Sequence, residues 1–110
     1  MSTRCNIIIK SETDYPDIIL YHHHDGYPQG VGYDLYCRLN SITGTWYATD
    51  IANNLVKEAD DEYEITCDIH GDIEYLYTID CKNEILRCNI ATGKKIGKEV
   101  KLNFNKGELK

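Results

Sequence analysis

The sequence predicts an α+β fold: an antiparallel sheet of five or six strands with two helices on one face, in the order ββααβββ(β). Short β-branched or alternating runs occupy the two ends of the 110-residue chain, and an apolar period typical of helices occupies the middle. Strands grouped on either side of a helical pair are typical of α+β domains. We expect a single domain over residues 1–104 and a flexible tail over 105–110.

Two strands open the chain. The β-branched stretch Thr3–Lys10 predicts the first strand, and a polar turn separates it from the apolar run Asp17–His24, which predicts the second. A connection this short favours antiparallel pairing. Because side chains alternate along a strand, His22 and His24 share one face of the second strand while His23 lies on the other.

Two helices follow. Apolar residues recur at helical spacing over residues 31–42 and again over residues 46–58. Gly44 separates the two periods, and Thr45 is placed to be the N-cap of the second helix. The residues that set the first period are Val31, Leu35, Leu39 and Ile42.

The C-terminal half is rich in strand signals. Alternating apolar residues there predict three strands, at residues 62–69, 72–80 and 84–91. We expect hairpin turns at His70-Gly71 and Lys82-Asn83, and one buried face that includes Ile65. Lys95–Phe104 is a candidate last strand, whose lysines protect an exposed edge.

The densest group of potential ligand-binding side chains lies at the end of the second strand. Residues 18–33, IILYHHHDGYPQGVGY, join an apolar run to histidines, a carboxylate, tyrosines and glycines. Backbone N–H groups at a helix start hold phosphates, and tyrosine rings stack on bases, so this loop predicts a nucleotide-like ligand. The alternative is turn geometry, with Gly26 and Gly30 at positive φ. The expected ligand-binding residues are His22, His24, Asp25, Tyr27, Gly30, Gly32 and Tyr33.

The same histidines also suggest a metal site. His22 and His24 have the His-x-His spacing of metal ligands on a strand, and Asp25 or His70 would supply a third ligand. A metal-dependent hydrolase acting on a phosphate or nucleotide substrate is therefore an alternative function. His23 with Asp25 would make a general base, but no nucleophile motif accompanies the pair. We therefore favour a binding protein with no catalytic residue and no cofactor.

Acidic residues are concentrated after the second helix. The formal net charge is −6, and nine acidic residues with no Lys or Arg lie between Lys57 and Lys82. This window repels the phosphates of nucleic acids and attracts basic protein surfaces, so we expect no direct nucleic-acid binding. The alternative is a hairpin with a solvated outer face. The expected partner-binding residues are Asp68, Asp72, Glu74, Tyr75 and Tyr77.

Cysteine usage and hydropathy bear on location. The five cysteines form no C-x-x-C pair, and the N-terminus around Arg4 is polar, without the apolar stretch of a signal peptide. No apolar run is long enough to span a membrane. We therefore expect a cytoplasmic protein with reduced thiols and no membrane partner.

Three motifs together indicate a family. TRCNI at Thr3–Ile7, YHHHDGYPQGVG at Tyr21–Gly32 and HGDIEYLYTID at His70–Asp80 resemble a family of small proteins of phages, prophages and gut bacteria, over roughly residues 2–90. The resemblance carries over no catalytic residue. It implies a context, because small acidic phage proteins often antagonise host defence in the cytoplasm of the bacterial host.

Two modes of antagonism follow from that context. In the first, the chain sequesters a nucleotide second messenger, and a homo-oligomer places tyrosines of two protomers on either side of the base. In the second, the acidic residues block a host-defence protein such as a CRISPR nuclease, as anti-CRISPR proteins do. We expect a non-catalytic protein that acts by one of these two modes.

Overall fold

The computed structural model describes residues 3–58 and 62–102 and confirms the α+β class. Within these ranges, six strands form one sheet, and a π-helical turn and two α-helices follow the second strand. The strands are β1 Cys5–Lys10, β2 Ile18–His22, β3 Tyr63–Thr66, β4 Tyr75–Asp80, β5 Ile85–Thr92 and β6 Lys95–Val100. The π-helical turn is Pro28–Gly32, α1 is Tyr33–Asn40 and α2 is Ala48–Glu58.

The sheet is mixed, so the prediction of a purely antiparallel sheet is wrong. Its strand order is β3-β2-β1-β4-β5-β6, and β1 pairs in parallel with β4, with Ile7 opposite Tyr77. The other neighbouring strands pair antiparallel. Strands with nearly continuous apolar runs favour central positions in a sheet. The sequence CNIII of β1 is such a run, and Cys5, Ile7 and Ile9 are fully buried.

The predicted hairpin at His70-Gly71 is also wrong. β3 pairs with the outer edge of β2 rather than with β4, so the chain must pass two strands to reach β4. Residues 67–74, which we call the crossing segment, make this connection over the face that the helices leave open. The predicted turn at Lys82-Asn83 is confirmed, because β4 and β5 pair antiparallel across it.

Both helices pack on one face of the sheet, as predicted. The main core lies between them and this face, and α2 contacts β1, β2 and β3. A smaller apolar cluster, which contains no helical residue, lies on the other face beside the crossing segment. Ile65 was predicted to be buried but is 71% exposed, because β3 is a short strand at the edge of the sheet. The smaller cluster consists of Tyr21, Ile73, Leu76 and Ala91.

The helix boundaries differ from the predicted ones. Helical structure begins three residues early, at Pro28 of the π-helical turn, and α1 ends at Asn40. α2 begins at Ala48, so Thr45 lies too far upstream to be its N-cap. Instead the side chain of Glu12, which is remote in sequence, accepts the Ala48 N–H at 3.1 Å. Glu12 thereby supplies the negative charge that a helix N-terminus favours.

The last strand ends at Val100. Residues 103 and 104 of the predicted strand, the predicted domain boundary and the predicted tail over 105–110 all lie outside the described residues. In the part of the chain that the structure describes, no helix has the length and apolarity needed to cross a membrane.

Candidate functional site

The glycine loop between β2 and α1 is shaped by contacts within the chain. A Cβ atom at Gly30 would overlap the carbonyl oxygen of Asp25, and one at Gly26 would lie 3.0 Å from the carbonyl oxygen of Thr3. Neither glycine has a positive φ, so that expectation is wrong; Asp25 adopts the left-handed conformation instead, with φ 53°. Close packing of the backbone therefore explains why a residue without a side chain occupies both positions.

Backbone N–H groups of this loop already have acceptors. The Gly30 N–H donates to the Tyr27 carbonyl at 2.9 Å, and the Val31 N–H donates to the Asp25 carbonyl at 2.8 Å. A phosphate at a helix start is held by N–H groups that have no acceptor in the protein. The geometry therefore gives less support to a phosphate at these positions than the sequence suggested.

The seven predicted ligand-binding residues differ in their exposure to solvent. His22 and Gly32 are buried, and Gly30 is half-buried. The Tyr27 hydroxyl donates to the Asp25 carboxylate at 3.4 Å, so these two side chains do meet. The exposed members are His24, Asp25, Tyr27 and Tyr33.

His22 is part of the packed interior on the helix side of the sheet. The residue is 4% exposed, and the centroid of its ring lies 4.6 Å from that of the Tyr63 ring. Its Nδ1 accepts the His24 N–H at 3.4 Å, and its Nε2 lies 3.5 Å from the carboxylate of Glu62. Burial lowers the pKa of His22 below its ordinary value, against the opposing pull of Glu62. The ring is therefore neutral at pH 7.

The predicted metal ligands are not brought together. Over residues 3–58 and 62–102, no group of three or more His, Cys, Asp or Glu side chains is placed to hold a metal ion. His70, a candidate third ligand, stacks on Tyr21 with ring centroids 3.8 Å apart, on the open face of the sheet. His22 lies on the helix side, so the sheet separates the two imidazoles.

His23 pairs with Glu64 rather than with Asp25. Its Nε2 lies 2.9 Å from the Glu64 carboxylate, and its ring meets the Tyr21 ring edge-on, with centroids 4.6 Å apart. The register of β2 and β3 places Glu64 opposite Tyr21. No local pattern indicates this pair, because residues 41 positions apart meet only through the sheet topology. The pair connects the edge strand β3 to the open face of β2.

Exposed carboxylates lie along β3 and the crossing segment. Asp72 is held most firmly: the Tyr21 hydroxyl lies 2.9 and 3.0 Å from its two oxygens, and Arg4 Nε lies 3.5 Å away. Burial, followed by the Asp72 contact, raises the pKa of Tyr21 to about 12, so the hydroxyl remains a donor. We call the following four residues the acidic surface: Glu64, Asp68, Asp72 and Glu74.

Asp68 is fixed at the start of the crossing segment. Its carboxylate accepts the Ile69 N–H at 2.7 Å and pairs with Lys94 at 3.1 Å. The backbone N–H, followed by Lys94, lowers the pKa of Asp68 below its ordinary value. The carboxylates of Asp68 and Asp72 therefore occupy defined positions, as the sequence-based partner surface requires.

Two of the predicted partner-binding residues belong to the fold. Tyr77 is fully buried and its hydroxyl donates to the Gly26 carbonyl at 2.7 Å, so it cannot contact a partner. Burial also raises its pKa. Tyr75 is half-buried against the main core. A partner surface in this region therefore consists of carboxylates, with Glu64 added and Tyr77 removed.

The chain matches no protein-family model, no curated protein and no solved structure.

Proposed function

We propose that this chain is a non-catalytic binding protein whose acidic surface occupies a basic surface of a host-defence protein in the bacterial cytoplasm. The observation that supports this most is the fixed placement of Asp72, which Tyr21 and Arg4 hold on the open side of the sheet. The anti-defence setting comes from the motif resemblance. A basic channel that normally binds nucleic-acid phosphates is the complementary target.

The rigidity of the carboxylates supports this proposal. A side chain that is already ordered loses less conformational entropy when a partner binds. Asp68 is held by a backbone N–H and by Lys94, and Glu64 is held by His23. The crossing segment that carries Asp68 and Asp72 is itself anchored through the His70 N–H. Carboxylates that are held by such contacts are better substitutes for phosphates than the carboxylates of a mobile acidic loop.

The two other modes receive less support from the geometry. Sequestering a nucleotide would need free phosphate donors, and the Gly30 and Val31 N–H groups are already bonded. A metal-dependent hydrolase would need a third ligand beside His22 and His24, and His70 lies across the sheet. We therefore place the site on the acidic surface.

Charge reversal tests the proposal. Glu74→Lys changes an exposed member of the acidic surface, and Glu99→Lys makes the same change at an exposed position outside that surface, on the edge strand β6. The chain is expressed in bacteria that carry an active CRISPR nuclease, and plaque formation by a targeted phage is counted. We expect the wild type and Glu99→Lys to restore plaques, and Glu74→Lys to reduce that protection about tenfold or more.

The purified nuclease provides the second readout. Because the contact is electrostatic, raising the salt concentration should weaken the binding of the wild type to the nuclease. The same rise in salt should change the binding of Glu74→Lys much less, because this variant has already lost part of the electrostatic attraction. Equal potency of the two charge-reversal variants would contradict the acidic surface as the site. Failure of the wild type against a panel of nucleases would contradict the anti-defence proposal itself.

A further inference from the structure

A cleft lies between the two helices, on the side of the sheet away from the acidic surface. It opens where α1 ends and α2 begins, and the loop over residues 41–47 borders its mouth. Its volume is about 340 Å³, which falls in the range of pockets that hold small molecules. Neither the proposed function nor any sequence motif uses it.

The floor of the cleft is aliphatic. Its side chains come from both helices and from the end of β4, and all are nearly or fully buried. A surface of this kind offers no partner to a charge, so an ion seated on it would lose its hydration without compensation. The floor residues are Leu35, Leu39, Ile51, Leu55 and Ile79.

The mouth of the cleft is polar, but its charges oppose one another. Arg38 lies at the rim, with its Nε donating to Asp34 at 2.9 Å and its Nη1 donating to the Asn54 side-chain oxygen at 3.0 Å. Asp50, at the start of α2, is also at the rim. Because Arg38 already has a carboxylate partner and Asp50 is a second anion nearby, the rim has no excess positive charge for an anionic ligand.

We propose that this cleft binds a small uncharged aromatic molecule of about two fused rings, with its apolar face on the aliphatic floor and a polar edge at the rim. An apolar cavity of about 150 Å³ accepts a single benzene ring, so the larger cleft has room for two rings. The exposed Tyr47 ring and the Asn54 amide at the mouth supply a stacking surface and hydrogen-bonding groups.

The size and chemistry argue against other occupants. An apolar peptide helix needs a long groove, whereas this cleft is bounded by α1 of eight residues and by the loop that leads into α2. A carboxylate ligand would meet Asp50 and an Arg38 that is already paired. The inference is independent of the acidic surface, because Ile79 and the helices lie on the opposite face of the sheet.

Indole is the probe for the first experiment. Methyl-labelled full-length protein is titrated with indole, and the shifts of the isoleucine and leucine methyl groups are followed by NMR. We expect saturable shifts at Leu39, Leu55 and Ile79, with little change at Ile19 on the open face. Indole-3-carboxylate, which has the same rings and a negative charge, should bind at least about tenfold more weakly.

A cleft-filling variant and its matched control complete the test. Ile42→Trp fills the mouth of the cleft from a half-buried position, and Ile96→Trp makes the same change at an exposed position on β6. We expect Ile42→Trp to weaken indole binding about tenfold or more and Ile96→Trp to leave it unchanged. No saturable shift up to the solubility limit would overturn the inference, as would shifts centred on Ile19 or tighter binding of the carboxylate. If Ile42→Trp does not fold, the methyl map of the wild type decides by itself.

Discussion

At the scale of single residues, His22 makes the stability of the protein depend on pH. Burial lowers its pKa in the folded state, so the unfolded chain takes up a proton at a higher pH than the folded chain does. The unfolded state therefore binds more protons at mildly acidic pH. The contribution of His22 to stability is complete above the ordinary histidine pKa of about 6.5 and is lost as the pH falls below it.

Urea unfolding at pH 7.5, 6.5 and 5.5 measures this effect. The free energy of unfolding should fall across the series, and His22→Phe should flatten the decline, because the ring that takes up the proton is gone. An unchanged slope in His22→Phe would assign the pH dependence to other groups.

Gly30 gives a second prediction at the residue scale. A methyl group there would overlap the Asp25 carbonyl oxygen, which is itself fixed by the Val31 N–H. We expect Gly30→Ala to lower the free energy of unfolding by about 2 kcal/mol or more. Gly71→Ala is the control, since a Cβ at Gly71 meets nothing within 4 Å, and it should stay within about 0.5 kcal/mol of the wild type. Similar urea midpoints for the two variants would mean that the loop shifts easily.

At the scale of elements, the crossing segment depends on one buried amide. Asn6 is fully buried on β1, where its Oδ1 accepts the His70 N–H at 2.8 Å and its Nδ2 donates to the Leu20 carbonyl at 2.8 Å. A buried polar group left without its partner costs about 1–3 kcal/mol. Asn6 therefore connects β1, β2 and the crossing segment. Through the crossing segment it helps to position Asp68 and Asp72 of the acidic surface.

Replacing Asn6 with alanine tests that dependence. We expect Asn6→Ala to cost about 2 to 3 kcal/mol and to speed hydrogen exchange at the His70 amide, because that N–H loses its acceptor. Asn89→Ala removes one hydrogen bond, to the Gly97 carbonyl, and should leave the His70 amide protected. If both variants exchanged at the wild-type rate at His70, the segment would be held by its apolar contacts instead.

The elements also show which features were predictable from sequence. Local patterns located every strand and both helices, because apolar alternation and helical period are properties of neighbouring residues. The partners of β3 and β4 were not predictable in this way. The spacing between these strands suits a hairpin, yet β1 offers β4 a fully buried neighbour in Ile7, and β3 takes the edge of β2. Pairing is decided by the whole core, so a local signal at His70-Gly71 was misleading.

At the scale of the whole molecule, the contrast between local patterns and long-range contacts also applies to the two candidate sites, the loop after β2 and the acidic surface. His22 and His23 are neighbours in sequence, but their side chains lie on different faces of the sheet. His22 is buried on the helix side, and His23 pairs with Glu64 on the open face. The acidic surface is assembled from separate segments, and Tyr21 and Arg4 hold its Asp72. The run of acidic residues without Lys or Arg indicated the carboxylates. That run could not indicate their supports, because the partners are far apart in the chain: Tyr21 and Asp72 are 51 positions apart, and His23 and Glu64 are 41 positions apart.

The five cysteines allow the cooperativity of the whole domain to be measured. Cys37 and Cys67 are exposed, whereas the other three thiols lie in the interior. Burial raises the pKa of Cys81 and of Cys88 to about 12, and it raises that of Cys5 as well, so these thiols are also poor nucleophiles. We expect a thiol reagent to label two cysteines rapidly in the native protein.

The three interior thiols should then react only when the domain unfolds globally. Cys5 lies on β1, Cys88 on β5 and Cys81 directly after β4, so together they sample both halves of the sheet. If the parallel pairing of β1 with β4 unites these halves, all three will be labelled at one common rate, which mass spectrometry of labelled peptides measures. Earlier labelling of Cys81 and Cys88 than of Cys5 would instead mean that β4, β5 and β6 open as a separate unit. The parallel pair would then be the weakest junction of the sheet. The acidic surface would be divided in the first opening step, because Glu64 lies on β3 and Glu74 directly precedes β4.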